Sequence, residues 1–193
     1  MTTGPMTITV VSPREVPLGG LRDMRVRRTL PARGRTMIGA WCFIDHYGPS
    51  AVDEMVVAPH PHTGLQTASW LFSGAITHRD SAGNHAPVRP GELNLMTAGR
   101  GISHSEVSVP GEVLHGVQLW IALPAATRNT APGFAHYAPP EIAGAGWRGR
   151  VFLGETLGVS SPVATHTRLV GAEITLDADA VLGLDETAGF EYG

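Results

Sequence analysis

Apolar residues occur along this chain in short runs that are separated by glycine, proline and other turn-forming residues. No segment repeats apolar positions at helical spacing over a dozen residues. The runs predict ten strands: Thr7 to Val11, Met24 to Arg28, Trp41 to His46, Gln66 to Phe72, Ala75 to Asp80, Glu92 to Ala98, His104 to Val109, Leu114 to Ala122, Arg150 to Leu153 and Ala172 to Leu176. This pattern favours an all-β fold, an antiparallel sandwich or jelly roll.

Proline-rich residues 124–140 are predicted to be a long irregular connection. We place a domain boundary there, with an N-terminal domain over residues 1–130 and a connection with a partial second β-rich unit over residues 131–193. The last residues, 190–193, resemble the opening of a further strand in that unit.

Composition narrows the class of protein. The 193 residues are 42% hydrophobic and 16% charged, with a net charge of -3. No apolar stretch approaches the ~20 residues of a membrane span, and nothing gives a general electrostatic reason to bind nucleic acid. The first ten residues lack a secretory signal pattern, so the cytoplasm is the expected location.

Two short motifs carry the candidate chemistry. His60 and His62 stand at positions i and i+2, as do His104 and Glu106. On an extended strand such residues project from the same face. Two adjacent strands would therefore bring three nitrogens and one oxygen to a single ion, a donor set that suits a first-row divalent metal. Residues 1–130 thus form the predicted metal-binding domain.

Other interpretations of these residues are weaker. The same histidines would otherwise be surface or hydrogen-bonded core residues. Ser103 and Ser105 flank His104, but the chain has no Gly-x-Ser-x-Gly elbow for a serine hydrolase. Residues 99–101 lack the features of a phosphate loop. The remaining histidines are predicted to be structural or are given no chemistry: His46, His78, His85, His115, His136 and His166.

The strand that follows His60 and His62 also fits the interior of a β-barrel. If its alternation continues from the ligand pair, the inward positions are Gln66, Ala68, Trp70 and Phe72, although a bulge at Gly64 would reset this register. Gly99 and Gly101 would let the backbone turn tightly into the second ligand strand.

Several longer segments resemble the pirin family of the cupin superfamily. The matching segments are Val26 to Pro31, Phe43 to Pro49, Pro59 to Gly64, Met96 to Glu106, Gly116 to Trp120 and Leu123-Pro124, with residues 161–174 similar to the start of a second cupin. The resemblance implies a cupin β-barrel, or double-stranded β-helix, in a bicupin pattern whose second cupin is incomplete. Gln66 stands where the family pattern usually has glutamate, and Ala40-Trp41 replaces the usual Pro-Phe.

The resemblance also implies a cofactor and two alternative functions. Iron(II) is the expected ion at His60, His62, His104 and Glu106, and manganese, nickel, copper, zinc and cobalt suit the same donors. One function is a quercetin 2,3-dioxygenase-type enzyme that uses O2 and a small aromatic substrate, with Glu106 as the catalytic base. The alternative is a redox-responsive regulator that acts through a protein partner. Candidate substrate-binding residues are Phe43, Gln66 and Met96.

Overall fold

The computed structural model describes residues 7–18, 24–50, 55–184 and 189–193. These ranges contain no α-helix, and no helix in them could cross a membrane. The strands are β1 (Arg14–Pro17), β2 (Arg25–Leu30), β3 (Trp41–Ser50), β4 (Val56–His62), β5 (Leu65–Ser73), β6 (Ile76–Asp80), β7 (His85–Val88), β8 (Leu93–Thr97), β9 (Ile102–Ser108), β10 (Leu114–Ala122), β11 (Gly133–Tyr137), β12 (Ile142–Gly144), β13 (Trp147–Leu153), β14 (Glu155–Thr156), β15 (Val159–Ser160) and β16 (Gly171–Leu176).

Two antiparallel sheets make up the first part of the chain. One has seven strands in the order β1-β2-β3-β10-β5-β8-β11, and the other has four in the order β4-β9-β6-β7. A buried apolar cluster joins the sheets: Val26, Tyr47, Leu71 and Leu114 come from the larger sheet, and Ile76 and Val88 from the smaller. This two-sheet arrangement confirms the prediction of an all-β cupin fold.

A second group of strands follows. β12, β13 and β16 form a three-stranded sheet, and β14 pairs with β15. Phe152 packs in one cluster with Trp70 of the seven-stranded sheet; their rings stack with centroids 4.4 Å apart. Trp70 Nε1 also donates a hydrogen bond of 2.7 Å to Glu173 Oε2. The second cupin and the boundary at residue 130 stay predictions.

Nine of the ten predicted strands overlap observed strands. The missing strand and two further departures from the predictions have physical causes. Residues 7–11 form no strand: Ile8 and Val10 are 81% and 86% exposed, and no neighbouring strand pairs with them among the described residues. The connection predicted over residues 124–140 contains β11, which pairs with β8. Residues 190–193 are not a strand; Glu191 instead accepts hydrogen bonds from Arg35 and the backbone of Gly39.

Candidate metal centre

Three neighbouring strands of the smaller sheet carry the candidate site. β9 lies between β4 and β6, and its pairing with β4 places His104 opposite His60. Its pairing with β6 places Glu106 opposite His78. The i, i+2 spacing therefore has the predicted effect, because alternate residues of these strands project from one face of the sheet.

Three imidazoles converge where β4 and β9 meet. The ligating atoms of His60, His62 and His104 all lie within 4.8 Å of one another. His60 Nδ1 lies 3.0 Å from the carbonyl oxygen of Ala58, which can only accept, so Nδ1–H donates this hydrogen bond and Nε2 is the nitrogen available to an ion. That atom is 3.0 Å from His62 Nε2. Two nitrogens at 90° around an ion, each ~2.1 Å from it, would be about 3 Å apart.

Burial keeps two of these imidazoles neutral. It is the largest cause that lowers the pKa of His62 to about 4, with a smaller contribution from His60. It likewise lowers the pKa of His104 to about 3, helped by the neighbouring imidazoles. A metal ligand must present an unprotonated nitrogen, so both side chains are in the required form at neutral pH.

Glu106 lies further from the histidines of β4. Its carboxylate and the nearest nitrogens of His78 and His104 form a second group, again within 4.8 Å. Burial raises the pKa of Glu106, against the opposing effects of His78 and of a hydrogen bond of 3.1 Å from Ser69 Oγ. His104 is thus the residue common to both groups.

A cavity of about 430 Å³ opens over the site, within the range of small-molecule pockets. The four predicted ligands line it, whereas His78 does not. Its aromatic wall is formed by Phe43 and Trp120, stacked with centroids 4.0 Å apart, and the Trp120 ring meets His62 edge-on at 4.9 Å.

A partly buried ion pair supports this wall. Arg28 donates two hydrogen bonds of 2.7 Å to Asp45, whose side chain is fully buried. The guanidinium carbon lies 4.4 Å from the centre of the Phe43 ring, which adds a cation–π contact. The pair raises the pKa of Arg28, mainly through the hydrogen bond to Asp45. Both residues line the cavity, so the wall is polar on one side and aromatic on the other.

The structure places one of the three predicted substrate-binding residues at the cavity. Phe43 lines the cavity, but Gln66 and Met96 are not among its lining residues. Gln66 is buried and donates a hydrogen bond of 2.9 Å to Thr97, and Met96 packs in a separate apolar cluster.

Of the two registers left open for β5, the structure has the reset one. Ser69 contacts Glu106, whereas Trp70 faces Phe152 and Phe72 is 38% exposed. The alternation is reset at Gly64, which has a positive φ of 70° in the turn between β4 and β5.

Sequence reasoning missed His78, which is buried against His104. A signal was present, since His78 and Asp80 have the same i, i+2 spacing as the two ligand pairs. The sequence analysis groups His78 with the structural histidines, because its spacing alone does not show that it meets His104. Tyr47 was also missed; it is buried, lines the cavity, and its hydroxyl has no hydrogen-bond partner among the described residues.

The family model for pirin matches residues 23–121, which contain every residue of this cavity except Leu18. The chain belongs to the pirin family. Pirins are cupin proteins, and the two-sheet fold described above agrees with this assignment.

Named relatives extend the comparison. One relative is a Pseudomonas aeruginosa protein with the provisional name quercetin 2,3-dioxygenase. It is 43% identical over 188 residues, which cover 95% of this chain and 59% of the relative. A pirin-like protein of Caulobacter vibrioides is 40% identical over 162 residues, covering 77% of this chain and 56% of the relative. The chain therefore spans little more than half the length of these two relatives.

A solved structure shows the same fold. The crystal structure of a quercetin 2,3-dioxygenase from Acinetobacter baumannii matches with a TM-score of 0.81 and 45% identity. The match covers 86% of this chain and 56% of that one.

The residues present fit a divalent metal ion. His104 Nε2 is buried and has no hydrogen-bond partner among the described residues, an arrangement that leaves a lone pair without a function unless an ion takes it. Neutral imidazoles with an adjacent carboxylate are suitable donors for first-row divalent metals.

Proposed function

We propose that this pirin binds one first-row divalent metal, iron(II) in the active form, and cleaves flavonol-type substrates with O2. The observation that carries the proposal is one cavity that is lined by three convergent imidazoles, a carboxylate and two stacked aromatic rings. His60, His62, His104 and Glu106 would hold the ion. Bound there, iron(II) would supply Lewis acidity toward a substrate oxygen and the electrons that dioxygen chemistry requires.

The cavity's own residues would bind and orient the substrate. Phe43 and Trp120 present flat apolar surface that suits an aromatic ring system. Tyr47, whose pKa is raised by burial and by Glu106, keeps its proton and can donate it to a substrate oxygen. Glu106, which lines the same cavity, would act as the base for the proton of a substrate hydroxyl when its carboxylate leaves the ion.

Oxygen uptake tests the proposal. Protein purified without a metal-binding tag, loaded anaerobically with iron(II) and checked by elemental analysis, should consume O2 when quercetin is added. His62→Ala should abolish uptake, because it removes a ligand from the base of the cavity. His85→Ala is the matched control, since His85 is exposed and lies outside the cavity.

No uptake with quercetin or related flavonols at full metal occupancy would overturn the enzymatic proposal. Tight metal binding without turnover would instead favour the redox-responsive regulator. In that case, binding of a protein partner should change when the bound iron is oxidised.

A further inference from the structure

Two buried groups continue from His104 away from the cavity. His104 Nδ1 lies 3.4 Å from His78 Nδ1, and His78 Nε2 lies 3.3 Å from Asp80 Oδ2. The side chains of His78 and Asp80 are 3% and 0% exposed, and neither residue lines the cavity. A chain of three polar groups therefore runs from the proposed metal site into the sheet.

Asp80, the last of these three groups, accepts hydrogen bonds only. The side-chain amide of Asn84 and the backbone N–H groups of Ala82 and Asn84 donate to the Asp80 carboxylate at 2.9–3.1 Å. Burial alone would raise the pKa of Asp80, but these hydrogen bonds, with the one from His78, lower it overall. Both Asp80 oxygens already face N–H donors, so the carboxylate acts as an acceptor toward His78.

The positions of the ring protons on His78 and His104 follow from the role of Asp80 as an acceptor. Because Asp80 can only accept, the facing His78 Nε2 carries the proton. With that proton on Nε2, the other ring nitrogen of His78, Nδ1, accepts a hydrogen bond from His104 Nδ1–H. His104 must therefore present a lone pair on Nε2, the buried atom without a partner among the described residues.

The surroundings fix the His78 ring in this orientation. Register between β6 and β9 places Asp80 opposite His104 and His78 opposite Glu106. Phe134 of β11 packs on the His78 ring at 5.0 Å between centroids. Packing and pairing thus restrict rotation of the imidazole that links the other two groups.

We propose that Asp80 and His78 are positioning residues that fix the tautomer and ring orientation of His104, so that its Nε2 faces the metal. This inference rests on the metal site of the proposed function. It also assigns His78 outside the ligand set, although His78, His104 and Glu106 are close enough to hold an ion themselves. Both His78 nitrogens already have partners, and the ring does not line the cavity.

The tautomer can be measured in metal-free protein. Long-range 1H–15N NMR should show the wild-type His104 protonated on Nδ1 and unprotonated on Nε2. In Asp80→Asn the new amide can donate to His78 Nε2, which would reverse the proton order and move the His104 proton to Nε2. Asn84→Ser is the matched control, because it removes a partner of Asp80 from the same turn but keeps the carboxylate.

Metal affinity gives the second measurement, with cobalt(II) as the probe in calorimetric titration. Asp80→Asn and His78→Leu should each bind cobalt about 10- to 100-fold more weakly than wild type, as found when outer hydrogen-bond partners of metal ligands are removed. His78→Gln should recover part of the loss, because its amide can accept from His104 and donate to Asp80. His85→Leu, on the exposed neighbouring strand, should bind as wild type does.

Several results would overturn the inference. An unchanged His104 tautomer and cobalt affinity in Asp80→Asn would remove the role of Asp80. An equal loss in Asn84→Ser would assign the effect to the turn. A changed visible spectrum of bound cobalt in His78→Gln would make His78 a ligand. Failure of the wild type to bind cobalt would instead contradict the proposed metal site, while the NMR result would still report on the tautomer.

Discussion

Tyr47 carries a polar group whose burial has an energetic cost. The residue is 3% exposed, and its hydroxyl has no hydrogen-bond partner in the part of the chain that the structure describes. Leaving such a group unsatisfied costs about 1–3 kcal/mol. Because Tyr47 lines the candidate cavity, a substrate oxygen that binds its hydroxyl would offset this cost.

Tyr47→Phe should therefore separate stability from binding. We expect the free energy of unfolding of the metal-free protein to rise by about 1 kcal/mol, since the unsatisfied hydroxyl is removed. The KM for quercetin should rise several-fold in the iron-loaded protein. Denaturant unfolding and steady-state oxygen uptake measure the two effects.

Tyr137→Phe is the matched control, because Tyr137 is only partly buried and lies outside the cavity. It should change neither quantity appreciably. A clear loss of stability in Tyr47→Phe would show that the hydroxyl has a structural partner.

At the level of elements, the sequence was informative where a local pattern determines local geometry. The apolar run from Leu114 to Ala122 predicted the bounds of β10, and i, i+2 spacing predicted that His60 and His62 share a face. β11 was not predicted, because it exists through pairing with β8, which is a non-local contact. For β5 the sequence leaves two registers open, one continuous with the ligand pair and one reset at Gly64. Only the tertiary structure, in which Ser69 contacts Glu106, decides between them.

The role of His78 shows the same limit for the site. Its spacing from Asp80 is visible in the sequence, but its contact with His104 depends on β6 pairing with β9. Sequence spacing can therefore suggest which residues share a face, whereas strand order decides which faces meet.

A hydrogen bond joins the glycine turn after β4 to the glycine turn before β9. Gly64 N–H donates a hydrogen bond of 2.8 Å to the carbonyl of Gly99, and both glycines have positive φ, 70° and 52°. A Cβ at Gly64 would meet nothing within 4 Å, whereas one at Gly99 would overlap the backbone of Thr130. The two turns thus share the conformational requirement but differ in available space.

Substitution by alanine should reveal this difference. Gly64→Ala should lower the free energy of unfolding by about 1 kcal/mol, the cost of a left-handed conformation. Gly99→Ala adds the overlap with Thr130, and overpacking brings its total to roughly 3 kcal/mol. Denaturant midpoints at constant m-value measure both, and equal losses would contradict the role assigned to Thr130.

One apolar core contains residues from both sides of the predicted boundary at residue 130. Leu93 and Leu95 of the seven-stranded sheet pack in one cluster with Phe152, Leu153 and Leu169. These residues are all at most 6% exposed. The N-terminal barrel therefore depends on C-terminal residues to cover its outer apolar face.

Phe152→Ala should consequently destabilise the whole described structure in one transition. Removing a buried phenylalanine costs about 3–5 kcal/mol, and the stacked Trp70 would lose its partner. Unfolding followed by tryptophan fluorescence and by circular dichroism should shift together to lower denaturant. Val181→Ala, at a position that is 90% exposed, should leave the midpoint unchanged. Two separate transitions, with only one shifted by Phe152→Ala, would mean that residues 1–130 fold independently of the covering strands.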